Sequence, residues 1–283
     1  MRTLAEQHAG NRRSRHPAEH PVLETRDLGI RFGGHLAVDR VSCAFARGTL
    51  TAIVGPNGAG KTTYFNLISG QLAPTSGRVA LFGEDISGLS APQRARRGIG
   101  RAFQLTQLFP RLTVRENVRL AVQSRAGIGL ELWSMWNRHV ELAEKAEHCL
   151  HRVSLADKAD RVASTLPHGD QRKLEVAILL ALEPEVFMFD EPTAGMSVDE
   201  VPVILELIRQ IKAQGDKTVL LVEHKMDVVR SLADRIIVLH QGRLVADGDP
   251  ATVIASPIVQ EAYLGIASAS PPEHAMTEGA AHG

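Results

Sequence analysis

Gly55-Pro56-Asn57-Gly58-Ala59-Gly60-Lys61-Thr62-Thr63 decides how the rest of this chain is read. The stretch fits G-x-x-x-x-G-K-[ST], the spacing of a phosphate-binding loop. A triphosphate needs a dense cluster of hydrogen-bond donors. Glycines have no Cβ, so successive backbone N–H groups can curl inward around one point. In this pattern Lys61 reaches the β- and γ-phosphates and the Thr62 hydroxyl binds Mg²⁺. The flanks agree. Residues 49–54, Thr-Leu-Thr-Ala-Ile-Val, read as a buried strand, and 62–69 as a helix whose positive N-terminus favours anions. By itself the loop implies only a nucleotide, because kinases, GTPases and motors share it.

Working outward, strand-like runs fall at 22–30, 36–45, 49–54, 77–82, 186–189, 218–222, 235–239 and 243–246. Helical periodicity falls at 62–69, 114–123, 130–153, 170–182, 201–214 and 226–233. Alternating strands and helices predict an α/β fold with helices on the faces of a sheet. From about 101 to 180 strand signal nearly vanishes, which predicts a helical insertion. Residues 1–20 are polar, with Arg12, Arg13 and Arg15 clustered, and read as a disordered lead-in; 267–283 read as a disordered tail.

A second phosphate-site feature is Val186-Phe187-Met188-Phe189-Asp190-Glu191. Four apolar residues predict a buried strand with two carboxylates at its C-terminal end, where ligands of open α/β sheets bind. Asp190 suits a hard cation held through water. Glu191, one residue on, suits activation of an attacking water.

Composition narrows the classes. The chain has 283 residues, 44% hydrophobic and 23% charged, with zero formal net charge. That balance gives no sign of a nucleic-acid partner, and 4% aromatics leaves few stacking platforms. Cys43 and Cys149 are far apart and read as free thiols, Cys43 alternating with Val41 and Phe45 on a strand. No apolar run approaches the roughly 18–20 residues of a spanning helix. A cytosolic chain that meets a membrane only through partners is expected.

Five segments stand in one order: 55–63; Gln104 within Arg101-Ala102-Phe103-Gln104; Leu166-Pro167-His168-Gly169-Asp170-Gln171; Asp190-Glu191-Pro192-Thr193; and Glu223-His224. That order resembles the nucleotide-binding subunit of an ABC transporter, over roughly 22–265. The resemblance implies an ABC-type P-loop NTPase core, a mixed sheet with an antiparallel β subdomain, plus an inserted helical subdomain. It places a RecA-like core at 21–100 and 181–266 and the helical subdomain at about 101–180, within one ATPase domain spanning 21–266.

It also implies roles. Phe32 matches the aromatic that stacks on adenine, although a core Phe at a strand end is the competing reading. Gly55, Pro56, Asn57, Gly58, Ala59, Gly60, Lys61, Thr62 and Thr63 hold the phosphates of ATP. Thr62, Asp190 and Gln104 serve Mg²⁺. Glu191 is the base, His224 the switch histidine at the γ-phosphate, and Gln104 links the site to the permease. Pro167, His168, Gly169 and Asp170 occupy the signature segment that caps the ATP of an opposite subunit.

Two departures mark a branch. The signature usually reads L-S-G-G-Q; here Pro167 removes a hydroxyl and an N–H, leaving the amides of His168 and Gly169. The loop after Glu191 usually reads S-A-L-D; here it is Ala194-Gly195-Met196-Ser197, with Asp199 out of register. With the run 101–109 and the ending Glu261-Ala262-Tyr263-Leu264-Gly265, these features resemble the larger ATPase subunit of branched-chain amino acid importers. Relatives in that branch import urea, amides or aromatic acids. A peripheral place on the cytoplasmic face, permease subunits, a second shorter or identical cassette and a substrate-binding protein follow as implied partners. Trp133 and Trp136, three apart on a predicted helix, read as helix core or as a permease contact. A lipid or lipopolysaccharide exporter ATPase, a non-transport ABC protein and a kinase or GTPase are the alternatives.

Overall fold

The computed structural model describes residues 21–102, 108–127, 136–257 and 259–260. Gln104, Trp133, residues 261–265, the lead-in and the tail lie outside them. The first half runs β1 (Leu23–Phe32), β2 (His35–Phe45), β3 (Leu50–Val54), α1 (Lys61–Ser69), β4 (Ser76–Leu81), β5 (Glu84–Asp85), α2 (Ala91–Arg96) and β6 (Ile99–Ala102). Then come α3 (Val114–Arg125), α4 (Trp136–Arg152), α5 (His168–Leu182), β7 (Val186–Asp190), α6 (Val201–Ala213) and β8 (Thr218–Val222). The chain continues through α7 (Met226–Leu232), β9 (Arg235–His240), β10 (Arg243–Gly248) and α8 (Pro250–Ala255).

Two sheets result. One has the order β2-β1-β4-β5 and is antiparallel; the other has the order β10-β9-β3-β8-β7-β6. In the second sheet β9, β3, β8, β7 and β6 are parallel and β10 closes the edge antiparallel. Every residue of β3, β7 and β8 is buried. Parallel strands covered on both faces need that continuous apolar character, which explains the runs LTAIV, VFMFD and TVLLV. By contrast β2 alternates, with Val41, Cys43 and Phe45 inward and the residues between them outward.

Helices α3, α4 and α5 pack on one another, with Val118, Val122, Leu142, Leu150 and Leu174 among the buried contacts. Thr113 and Glu116 form a reciprocal cap that starts α3. Helix α5 begins at His168, two residues before its sequence-predicted start, because Pro167 takes the N-cap. Strand β6 was not visible in the pattern. It is four residues long, and Gly100-Arg101 interrupts its apolar character. Gly100 is required there: a Cβ would stand 2.4 Å from Leu179 Cδ1 and 2.7 Å from Pro184 Cγ. The main sheet therefore runs to Ala102, past the point where sequence placed the start of the helical stretch.

One buried cation holds the far end of α1. Arg94, 1% exposed, donates to the carbonyls of Leu67 (2.6 Å), Ile68 (2.8 Å), Leu89 (3.0 Å) and Ser87 (2.8 Å). The first two are carbonyls that a helix C-terminus leaves without intrahelical partners. Arg94→Met should therefore lower stability by about 2–4 kcal/mol, since buried carbonyls lose their donors. Urea denaturation measures this, and an unchanged midpoint would mean that water replaces the guanidinium.

Candidate nucleotide site

The site assembles at the C-terminal ends of β3, β7 and β8. Strand β3 ends at Val54 and the loop 55–60 turns directly into α1. Gly55, Gly58 and Gly60 all have positive φ, at 151°, 79° and 96°. A Cβ on Gly60 would lie 2.6 Å from the Ala37 carbonyl oxygen, so the start of β2 presses on the loop. Gly58, in contrast, has nothing within 4 Å, and Asn57 is exposed beside it. Pro56 accepts from the Ala59 N–H at 3.1 Å, closing the turn. Thr62 is exposed and Thr63 half-buried at the first turn of α1.

Lys61 is 5% exposed, and its Nζ donates to the Gly55 and Pro56 carbonyls at 2.7 and 2.9 Å. Burial pushes its pKa down, against the opposing charges of Glu191 and Asp190. Those two carboxylates thus come to the phosphate loop from across the sheet. Asp190 ends β7, and Glu191 follows with φ 52°, a left-handed backbone that costs a non-glycine residue free energy. Its N–H donates to the Val222 carbonyl at 2.9 Å, and its own carbonyl accepts from Arg172 Nη1 at 3.3 Å. Asp190 pairs in register with Val222, which brings His224 alongside. Glu191 Oε1 lies 2.8 Å from His224 Nε2, with both side chains part-exposed.

Two residues with no role in the sequence reading brace this group. Glu223, 3% exposed, accepts from Thr193 Oγ1 at 2.5 Å and from the His224 N–H at 2.8 Å, fixing the turn that carries His224. Arg101 pairs with Asp190 at 2.6 Å, both side chains 7% exposed. Burial pushes the guanidinium's pKa down and the Asp190 hydrogen bond opposes it. The signal for Glu223 was its place beside His224. Arg101 opens the run 101–109 that marks the branch, but that run gave it no role because β6 itself was not evident.

Phe32 is 48% exposed at the end of β1, beside the β1–β2 turn. It is not a core residue, and its face is available to a planar ring. Pro167 and His168 are exposed at the start of α5, while Gly169 and Asp170 are buried. Their contacts run elsewhere than the phosphate loop of the same chain. A Cβ on Gly169 would stand 1.8 Å from Glu200 Oε1, and Glu200 in turn accepts from Ser197 N and Oγ at 3.2 and 3.0 Å.

Asp170 is paired within its own subunit. Its carboxylate is taken by Lys158 at 2.6 Å and Lys173 at 3.0 Å. Desolvation alone would raise its pKa, but the hydrogen bonds and charges of the two lysines outweigh it and hold the carboxyl below its usual range. A carboxyl with a lowered folded-state pKa stabilises fully above its unfolded value of about 4 and loses that contribution as pH falls through the folded value. The stability advantage of the parent over Asp170→Asn should therefore be full at neutral pH and shrink below about pH 4. Denaturant midpoints at several pH values measure it, and a difference constant with pH would count against the pairing.

A nucleoside triphosphate fits these residues: left-handed glycines, a buried lysine at the loop, and carboxylates across from it. A sequence model of ABC transporters matches residues 38–194, and one described as a branched-chain amino acid ATP-binding cassette transporter matches 243–269. The chain belongs to the ABC transporter ATP-binding family.

As an ABC ATPase it binds nucleotide and hydrolyses ATP to power transport. The chain is similar to the high-affinity branched-chain amino acid transport ATP-binding protein BraF of Pseudomonas aeruginosa, 40% identical over 87% of this chain and 98% of BraF. It is similar in structure to the ADP conformation of MJ1267, an ATP-binding cassette of an ABC transporter. That match has a TM-score of 0.73 and 29% identity, covering 86% of this chain and 98% of that one. The cassette MJ0796, solved as a dimer in a post-hydrolysis state with ADP and Pi, matches with a TM-score of 0.69 and 26% identity. It covers 81% of this ABC ATPase and 98% of its own chain.

Proposed function

We propose that this ABC ATPase powers an importer of branched-chain or chemically related amino acids. The observation that carries the reading is the match of its C-terminal segment 243–269 to the branched-chain cassette model. The full-length likeness to BraF supports it. Among the described residues no helix is long and apolar enough to cross a membrane. The protein then sits peripherally on the cytoplasmic face, bound to permease subunits that are served by a substrate-binding protein. The division into a core at 21–100 and 181–266 and a helical subdomain at about 101–180 belongs to the same reading, with β6 assigned to the core.

The working unit is two cassettes closed head to tail, the second a shorter paralogue or another copy of this chain. Residues 55–63 hold the phosphates, and Lys61 exchanges its carbonyl partners for phosphate oxygens. Phe32 stacks on adenine. Across the interface the backbone N–H groups of His168 and Gly169 meet the γ-phosphate at the N-terminus of α5, and Pro167 shapes that turn. Asp170, committed to its lysines, supports the turn without touching nucleotide. Thr62, Asp190 and Gln104 would hold Mg²⁺, which when bound would supply neutralisation of phosphate charge. A hydroxyl, a carboxylate and a side-chain amide are the oxygen donors that a hard cation such as Mg²⁺ would accept. Glu191 takes the proton of the attacking water, and His224 and Lys61 offset charge on the transferring phosphoryl. Hydrolysis reopens the pair, and the helical stretch passes that motion to the permease near Gln104 and Glu116.

Uptake of radiolabelled leucine by cells carrying or lacking the gene tests this reading. Deletion should abolish ATP-dependent uptake, restored by the parent protein but not by Lys61→Ala. Unchanged uptake of every branched-chain amino acid would reject the substrate class.

A further inference from the structure

Arg101 is a buried cation that the assigned catalytic roles do not use. It stands on β6, opposite Met188 on the neighbouring β7, two residues before Asp190. Its guanidinium forks. Nη2 donates to Asp190 Oδ2 at 2.6 Å. Nη1 donates to Asn66 Oδ1 at 2.7 Å, Ser69 Oγ at 2.9 Å and Gln71 Oε1 at 3.1 Å, all at or just past the last turn of α1. The Phe65 ring lies 5.3 Å from the guanidinium carbon. Nε is buried with no hydrogen-bond partner.

Burying a guanidinium with one N–H unsatisfied destabilises a fold, and a hydrophobic side chain of similar volume would serve packing at least as well. What the planar fork provides is geometry: a fixed distance and angle between two groups. One prong holds a carboxylate at the phosphate site. The other holds the C-terminal turn of α1, where the helix dipole favours a cation. Helix α1 begins with Lys61 and Thr62, so the same side chain references Asp190 to the helix that carries the phosphate loop.

We propose that Arg101 is a positioning residue for Asp190. By fixing Oδ2 it leaves Oδ1 as the oxygen offered toward the divalent cation that accompanies the nucleotide, in register with Thr62 on α1. This rests on the reading of Asp190 as a metal-side carboxylate. Partners of this kind are worth about 10–100-fold in metal affinity or activity.

The test uses the full chain with ADP and Mn²⁺ as the probe, free Mn²⁺ being followed by EPR. Arg101→Met should raise the Kd for Mn²⁺ about tenfold or more, while ADP affinity in EDTA stays at the parental value. Arg101→Lys, which keeps the charge but loses the fork, should fall between the two. A purely structural role would lower the metal-free ADP affinity as well. Parental Mn²⁺ affinity in folded Arg101→Met, or an equal loss of metal-free ADP affinity, would overturn the proposal. Should Arg101→Met fail to fold, Arg101→Lys decides: a raised Kd for Mn²⁺ supports positioning and a parental Kd refutes it. Asp190→Asn separates the two levels. If it also keeps parental Mn²⁺ affinity, the assignment of Asp190 fails and this proposal falls with it; if it loses affinity while Arg101→Met does not, only the role of Arg101 is wrong.

Discussion

Glu191→Gln should lower ATP hydrolysis by about 100- to 10,000-fold, the usual contribution of a positioned general base, and leave ATP binding intact. The amide has nearly the shape of the carboxylate, so the 2.8 Å contact to His224 and the left-handed backbone at φ 52° can both be kept. What disappears is basicity. The backbone around Glu191 is held from two sides, by Val222 and by Arg172 on α5, so the substituted side chain keeps its place beside His224. With hydrolysis blocked and ATP still bound, the closed pair of cassettes should accumulate. Steady-state phosphate release and size-exclusion chromatography with ATP measure the two effects. Release at the parental rate would move the base to another residue; loss of ATP binding would show that Glu191 shapes the pocket as well as activating water.

Gly55→Ala should abolish nucleotide binding, and Gly58→Ala should not. At Gly55 a Cβ would stand 2.1 Å from the Leu239 carbonyl oxygen and 3.1 Å from Ala59 Cβ, at φ 151°. The obstacle is backbone of β9, which cannot rotate away as a side chain could. Overpacking of about 1–3 kcal/mol and comparable backbone strain then add at one position. The loop must lift from the sheet, and the inward aim of its N–H groups is lost. At Gly58, φ is 79° but nothing lies within 4 Å, so only the left-handed penalty of about 1–2 kcal/mol applies. Titration with a fluorescent ATP analogue and urea denaturation of both variants compare them. Equal effects would mean that left-handed geometry, and not the contact with β9, limits the loop.

The parts of the fold that were legible in the sequence are those whose signal is local. Strands β3, β7 and β8 announced themselves because burial on both faces demands an unbroken apolar run. The phosphate loop was legible because glycine spacing encodes its backbone directly. Strand β6 was not, because two of its four residues are Gly100 and Arg101 and its pairing with β7 bridges more than 80 positions. Phe32 was open between core and surface until its exposure placed it outside. Spacing could not say which way Asp170 points; Lys158, from the segment before α5, and Lys173, one turn on, turn it inward.

By itself the sequence determined that this chain handles a nucleotide, which residues form the loop, and in what order the site segments occur. Those properties depend on residue type and near-neighbour spacing. Only the tertiary structure decided which polar groups meet: Arg101 with Asp190 across 89 positions, Glu191 with His224 across 33, Thr193 with Glu223 across 30. The reason is physical. A hydrogen bond or ion pair depends on ångströms through space, and parallel strand register sets those distances among residues remote in the chain.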